Sequence, residues 1–182
     1  MSIRLATPGD AVAINAIYRP FVTDNAVSFE LVPPSDAVMA ERILQTLQQF
    51  PWLVFRSGDS LTGYAYAARH RERPAYQWAV EVSVYVQLAC RRGGIGRALY
   101  QALFGILVQQ GYYTAYAGIA LPNPASVALH QALGFEAVGV YRGAGYKLGA
   151  WWDVSWWQRP LQAYTLPAGP PRSLPQLGIT QD

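Results

Sequence analysis

The chain has 182 residues, 52% of them apolar, enough for a single domain with a sizeable core. Its net charge of +3 is too weak for a nucleic-acid surface, no stretch has the roughly 18 uninterrupted apolar residues of a membrane helix, and MSIRLATPGDAV lacks the apolar core of a secretion signal. One cysteine, Cys90, excludes an internal disulfide and a cysteine-based zinc site, and two histidines, His70 and His130, argue against a metal centre, so the expectation is a soluble cytoplasmic protein with no metal, membrane or nucleic-acid partner.

SIRLAT alternates and predicts a short strand, followed by a turn at TPGD with Asp10 placed to cap a helix. AVAINAIYRPFV is that helix, ended or bent at Pro20. NAVSFELVPPSD is irregular, because Pro33 and Pro34 forbid a helix there. Ser35 or Asp36 caps a second helix, AVMAERILQTLQQF, which Pro51 closes. WLVFR and LTGYAYAAR predict strands joined by a turn at SGDS. HRERPAY is a charged loop. QWAVEVSVYV is a strand apolar at nearly every position, as a central strand covered on both faces is. After RRGGIGRAL comes a helix of about four turns ending near Gly111. YYTAYAGIAL is a strand. Pro122-Asn123-Pro124 breaks the chain and places Asn123 to cap the helix ASVALHQAL, with Pro124 at its first position and Gly134 at its end. FEAVGVYR and WWDVSWWQR are the last strands. Residues 164–182 are rich in Pro and Gly and lack periodicity, which predicts a tail, either without fixed structure or draped on a neighbour, after a single domain over 1–163.

The segment RRGGIGRAL joins a strand to a helix. A helix start offers unpaired N–H groups and a partial positive charge. Glycines let backbone approach a ligand, so a strand running into such a turn is a phosphate cradle, or else a turn that serves packing. Thirteen of the fourteen basic residues are arginine, which favours a small anionic ligand held by forked guanidinium groups. The dinucleotide fingerprint fails, because Gly94 and Gly96 fit but the third position is Leu99. The ATP loop fails as well, for no Lys-Ser or Lys-Thr pair exists.

What remains, Arg91-x-x-Gly94-x-Gly96, resembles the pyrophosphate loop of the GNAT N-acetyltransferases, which bind acetyl-CoA. LPNPASVALHQALGF is similar to the second half of that fold. RPAYQWAVEVSVYV and GYKLGAWWDVSWWQRPL resemble its phosphinothricin and methionine sulfone/sulfoximine acetyltransferase branch, and the likeness runs from about Ile3 to Leu161. The resemblance implies an α/β (α+β) GNAT fold: a mixed, mostly antiparallel central sheet of about seven strands flanked by about four helices, with the acetyl-CoA site where the central strands splay apart.

Acetyl transfer to an amine needs a base, a held thioester carbonyl and donors for the developing oxyanion. Glu81 alternates with the valines Val80, Val82, Val84 and Val86, so it shares the other face of its strand with Ser83 and Tyr85. A carboxylate in such a run is costly to bury and suits a general base, or else pairs with a nearby arginine such as Arg73. The resemblance implies that Glu81 takes the ammonium proton and that Val84, Tyr85 and Val86 hold the pantetheine arm and thioester carbonyl through the backbone. It implies that Arg91, Arg92, Gly93, Gly94, Ile95, Gly96 and Arg97 hold the pyrophosphate, and that Asn123 and Ser126 meet the arm. His130 stands where many relatives carry a thiolate-protonating tyrosine. It is a catalytic acid or a packing residue. On the acceptor side, the resemblance points to Phe29, Glu30, Arg73 and Tyr76; Arg71 is a rival, and the arginines fit a solvated surface equally. Relatives that prefer a phosphinate often carry a base after the loop tyrosine; Gln77 stands here, which favours a neutral sulfone, sulfoximine or other small amino acid.

Four of the six tryptophans fall in GAWWDVSWWQRP, where neighbours must point opposite ways, so part of this aromatic area is exposed in a monomer. Together with the resemblance this implies a homodimer, with Lys147 and Asp153 as structural or interface residues. The expected activity is acetyl transfer from acetyl-CoA to the α-amino group of a small amino acid by direct attack in a ternary complex. The alternatives are an N-acetyltransferase for peptide or protein amines, a non-catalytic CoA sensor and, more distantly, a nucleotide-binding protein.

Overall fold

The computed structural model describes residues 1–167 and 169–179. Its main elements in chain order are β1 (Ser2–Leu5), α1 (Ala11–Thr23), α2 (Asp36–Leu47), β2 (Trp52–Ser57), β3 (Ser60–Arg69), β4 (Ala79–Val86), α3 (Ile95–Gln110), β5 (Thr114–Ala120), α4 (Pro124–Ala132), β6 (Glu136–Lys147) and β7 (Ala150–Pro160). The strands form one seven-stranded sheet in the order β1-β2-β3-β4-β5-β7-β6. Every neighbouring pair is antiparallel except β4 with β5.

Each face of the sheet carries its own core. The β4 valines Val80 and Val82 are buried with Leu99, Leu103 and Leu107 of α3, and Val84 and Val86 pack against the same cluster. The opposite face meets α1 and α2 through Ile14, Ile17, Phe21, Met39 and Ile43, which pack on Trp52, Val54 and Tyr64. A strand with period-two alternation between two apolar layers is thereby fixed in register, because a slip of one residue would exchange the layers. The register is Glu81 opposite Ala68, Ser83 opposite Tyr66 and Tyr85 opposite Tyr64.

Three local expectations are amended. Pro20 lies inside α1, which runs on to Thr23; so near the C-terminus the missing N–H costs one bond in the last turn. Asp10 closes a capping box with Thr7 ahead of α1, its carboxylate accepting from the Thr7 N–H at 2.8 Å and pairing with Arg4 at 2.7 Å. The Pro/Gly-rich tail is expected to lack structure or to cover a neighbour; its described residues 169–179 are seated on the same chain. Leu174 is buried, Gln110 donates to the Arg172 carbonyl at 2.8 Å, and the Leu174 N–H donates to the Gln49 carbonyl at 3.2 Å. β6 and β7 are joined by a tight turn at Leu148-Gly149, both with positive φ, the geometry that matches strand twist in two-residue hairpins.

Candidate active site

β4 and β5 pair at Ala79–Thr114, Val80–Ala115 and Glu81–Tyr116, and the ladder stops there. Beyond Glu81 the two strands part. The cleft between them is lined by Val82, Ser83, Val84, Tyr85, Gly118, Ile119, Ala120, Asn123, Ser126 and His130. Glu81 thus stands at the fork. Of the residues expected to meet a pantetheine arm, Val84, Tyr85, Asn123 and Ser126 are brought to one cleft.

The glycine loop enters the same region from the far end of β4. Gly94 has φ +79° and is the residue before α3; this left-handed conformation is open to glycine at little cost. Gly96 answers a different need. A Cβ there would lie 3.1 Å from Leu129 Cδ2 and 3.8 Å from the Val84 and Val86 methyls, so its absence lets α3 start close against β4 and α4. The first N–H groups of α3 have no partner within the helix. Arg92 and Arg97 are exposed beside them, and the Arg91 guanidinium sits 5.3 Å over the Phe21 ring. The loop therefore fits a diphosphate: donors, positive charge and room for backbone approach converge.

Glu81 has a partner, and it is not Arg73. His70 Nδ1 lies 3.0 Å from Glu81 Oε1. The His70 ring is stacked on Tyr116 at 4.2 Å between centroids and 13° between planes. Tyr76 and Trp156 meet it edge-on, at 5.9 and 6.3 Å. Arg73 instead lines a larger cavity of about 260 Å³ at the start of β4, with Arg69, Arg71, Gln77 and Tyr112. Tyr76 therefore joins the Glu81 cluster, whereas Arg73 faces another space. No spacing rule selects His70: it lies two residues past Ala68, the residue opposite Glu81, and only the β3–β4 register brings it there.

The sheet face that carries Glu81, Ser83 and Tyr85 is covered by α1. Tyr18 and Phe21 of α1 meet Tyr85 edge-on at 5.1 and 5.2 Å. Burial pushes the Tyr18 hydroxyl up to about 12, so it remains a neutral donor. It lies 2.7 Å from Ser28 Oγ and 3.1 Å from Glu30 Oε1. Glu30 also pairs with Arg42 of α2 at 2.6 Å. Lys147, buried, donates from Nζ to the Ser28 carbonyl. Burial lowers the Lys147 pKa, against the pull of Glu30. The segment that bears Phe29 is thus fastened to α1, α2 and the β6–β7 hairpin. Sequence reading missed Tyr18, Ser28 and Arg42, whose roles come from long-range contacts.

Asn123 is a helix cap: its Oδ1 accepts from the Ser126 N–H at 3.2 Å. This uses the oxygen of the amide, and the nitrogen remains a donor for other work. His130 is 3% exposed. Its Nδ1 lies 2.8 Å from the Ser126 carbonyl, and since a carbonyl only accepts, that nitrogen carries the proton. Its Nε2 is then the acceptor for the Tyr100 hydroxyl at 3.2 Å. Burial holds the imidazole below its ordinary value despite the Ser126 carbonyl, and pushes the Tyr100 hydroxyl well above its own. Both ring nitrogens have partners within the fold, although His130 also lines the cleft.

Among the described residues no group of three or more His, Cys, Asp or Glu is placed to hold a metal. None of the described helices is long and apolar enough to cross a membrane.

A sheet forked beside a carboxylate, with a glycine loop that fits a diphosphate at the head of the next helix, suits an enzyme that works on a long phosphate-bearing carrier. The chain belongs to the GNAT acetyltransferase family: the family model for the acetyltransferase (GNAT) domain matches residues 3–156. It is 39% identical to a phosphinothricin N-acetyltransferase of Streptomyces viridochromogenes, a match covering 100% of this chain and 96% of the relative. It is 32% identical to an L-methionine sulfoximine/L-methionine sulfone acetyltransferase of Salmonella typhimurium, over 92% of this chain and 98% of the relative. The crystal structure of a GNAT superfamily phosphinothricin acetyltransferase from Sinorhizobium meliloti in complex with AcCoA superposes with a TM-score of 0.86 at 38% identity, covering 94% of this chain and 92% of that one.

Proposed function

We propose that this acetyltransferase moves the acetyl group of acetyl-CoA to the α-amino group of a small amino acid or analogue of the phosphinothricin, methionine sulfone or methionine sulfoximine type. The observation that carries the reading is the position of Glu81 at the end of the β4–β5 ladder, with the cleft directly beyond it. The diphosphate rests on the loop Arg91 to Arg97, and the arm follows Val84 to Val86 past Asn123 and Ser126. Glu81 takes a proton from the acceptor ammonium, directly or through water. The free amine attacks the acetyl carbonyl; the C–N bond forms as the C–S bond breaks, CoA departs as its thiolate, and the proton that the new amide nitrogen must shed passes to that thiolate, directly or through water. Cys90 lies past the end of β4 opposite to Glu81, beside the phosphate loop, which favours direct attack in a ternary complex over an acetyl relay.

Phe29, Tyr76 and Glu81 are assigned to the acceptor. The fastening of the 28–30 segment by Tyr18, Arg42 and Lys147 favours a closed pocket for a small molecule over an open groove for a peptide. Gln77 in place of a basic residue favours a neutral side chain. We assign His130 a supporting role at α4 rather than proton delivery. β6 is an edge strand on which Val138, Val140, Tyr141 and Tyr146 are exposed, and we infer that a second copy covers it. A cytoplasmic setting suits a reaction that consumes acetyl-CoA.

The test is thiol release from acetyl-CoA with L-phosphinothricin, L-methionine sulfone, L-methionine sulfoximine, common L-amino acids and short peptides, for wild type and Glu81→Gln. Turnover on a small amino-acid analogue, lost in the variant while CoA still binds, is the expected result. CoA binding without turnover on any acceptor would leave the sensor alternative standing.

A further inference from the structure

The pairing of Glu81 with His70 goes beyond the assignment of a base. A carboxylate oxygen only accepts, so the 3.0 Å contact requires His70 Nδ1 to carry the hydrogen. The ring that carries it is fixed independently of Glu81. Tyr116 stacks on one face of it, and Tyr76 and Trp156 abut it from the side. Its side chain is 10% exposed, against 34% for Glu81. A buried, boxed-in donor therefore meets a more open acceptor. The register explains how this arises: Tyr116 and Glu81 are partners across the parallel ladder, so the stacking residue and the carboxylate emerge side by side on one face.

We propose that His70 is a positioning residue for the general base. Its Nδ1–H holds Glu81 Oε1, which stops rotation of the carboxylate and presents Oε2 to the acceptor ammonium. The inference rests on Glu81 being the base. Orientation of this kind costs nothing at the moment of reaction, because the aromatic box has already ordered the imidazole. The bond is charge-assisted and only partly shielded from water, conditions under which it is stronger than an exposed one. His70 does not touch the reacting atoms, so its effect falls on the rate of the chemical step and not on cofactor binding.

Three substitutions separate this role from packing. His70→Phe keeps a ring against Tyr116 and removes the donor. His70→Asn carries an amide near the position of Nδ1, and His70→Gln carries one near that of Nε2. We expect His70→Phe to lower kcat about 10- to 100-fold, with the Kd for CoA and the acceptor KM within about two-fold of wild type. His70→Asn should recover most of the loss and His70→Gln little of it. The double variant His70→Phe/Glu81→Gln should be no slower than Glu81→Gln alone, since a positioning residue has nothing left to position. If His70→Phe turns over at the wild-type rate, if Asn is no better than Gln, or if the two losses multiply in the double variant, His70 is not a positioning residue. Should His70→Phe fail to fold, the Asn and Gln comparison decides. If Glu81→Gln keeps full activity, the assignment of the base fails first, an outcome that is distinct from the others.

Discussion

The ring of Phe29 lies where a side chain at residue 145 would begin. A Cβ on Gly145 would stand 2.5–2.9 Å from three of the ring carbons, so the Phe29 ring takes this place against the β6–β7 hairpin only because position 145 is bare. Lys147, two residues on, holds the same segment by the Ser28 carbonyl.

Gly145→Ala should therefore displace Phe29 and leave the cofactor cleft alone. The expected result is a rise of about 5- to 20-fold in acceptor KM, of the size a pocket contact contributes, with the Kd for CoA unchanged. Steady-state kinetics with both substrates varied will show this. An unchanged acceptor KM would mean that Phe29 does not shape the acceptor site.

Two glycines of α3 should respond in opposite ways. Gly96→Ala forces a methyl to 3.1 Å from Leu129 and against the β4 valines. It should cost about 1–3 kcal/mol of stability and weaken CoA binding, since the donor-bearing start of the helix is pushed from the fork. Gly105 is exposed on the same helix with nothing within 4 Å of its Cβ position. Gly105→Ala should stabilise by about 0.5–1 kcal/mol without touching CoA affinity. Urea unfolding and CoA titration measure both.

His130 gives the fold a dependence on acidity. Burial lowers its folded pKa from 6.5, so in mild acid the unfolded chain binds a proton that the folded chain refuses. Its contribution is fully present above the unfolded value and is lost as pH falls below about 6.5, by at most about 1.4 kcal/mol per pH unit for one proton. In His130→Gln this part of the slope should vanish. Unfolding curves at pH 7.5, 6.5 and 5.5 will compare the two proteins; identical slopes would mean that the imidazole is not held neutral.

The exposed β6 edge supplies a test of association. Val140→Lys should convert a dimer to a monomer in analytical ultracentrifugation, with the unfolding midpoint of each protomer at low concentration little changed. A wild type that sediments as a monomer at micromolar concentration would dismiss the second copy.

The features legible in the sequence are those set by neighbours along the chain. The alternation around Glu81, the turn at Gly94, and Asn123 capping a proline-led helix each depend on a few adjacent residues, and the structure carries all three. Pairings across the sheet were not legible. β7 lies between β5 and β6, and β4 runs parallel to β5, arrangements fixed by burial on both faces rather than by any local signal. His70 was hidden for the same reason. It sits in a charged loop beside Arg71 and Arg73, and charge alone points to Arg73 as the partner of Glu81. In the described part of the tail, the seat of Leu174 and the Arg172 carbonyl that Gln49 and Gln110 both engage have no local signal amid the Pro and Gly.

The short β4–β5 ladder has a consequence for the economy of the whole fold. Past Glu81 and Tyr116 the inner margins of two strands confront each other without a shared ladder, although each is fully paired on its outer side. A carrier arm lying between them would serve as a makeshift eighth strand, completing the sheet as a peptide completes an open edge. Occupancy would then be a structural act as well as a chemical one, and the protein's resistance to heat and to proteases would track the acetyl-CoA concentration around it. Such a fold would be firmest at its middle when the donor is bound.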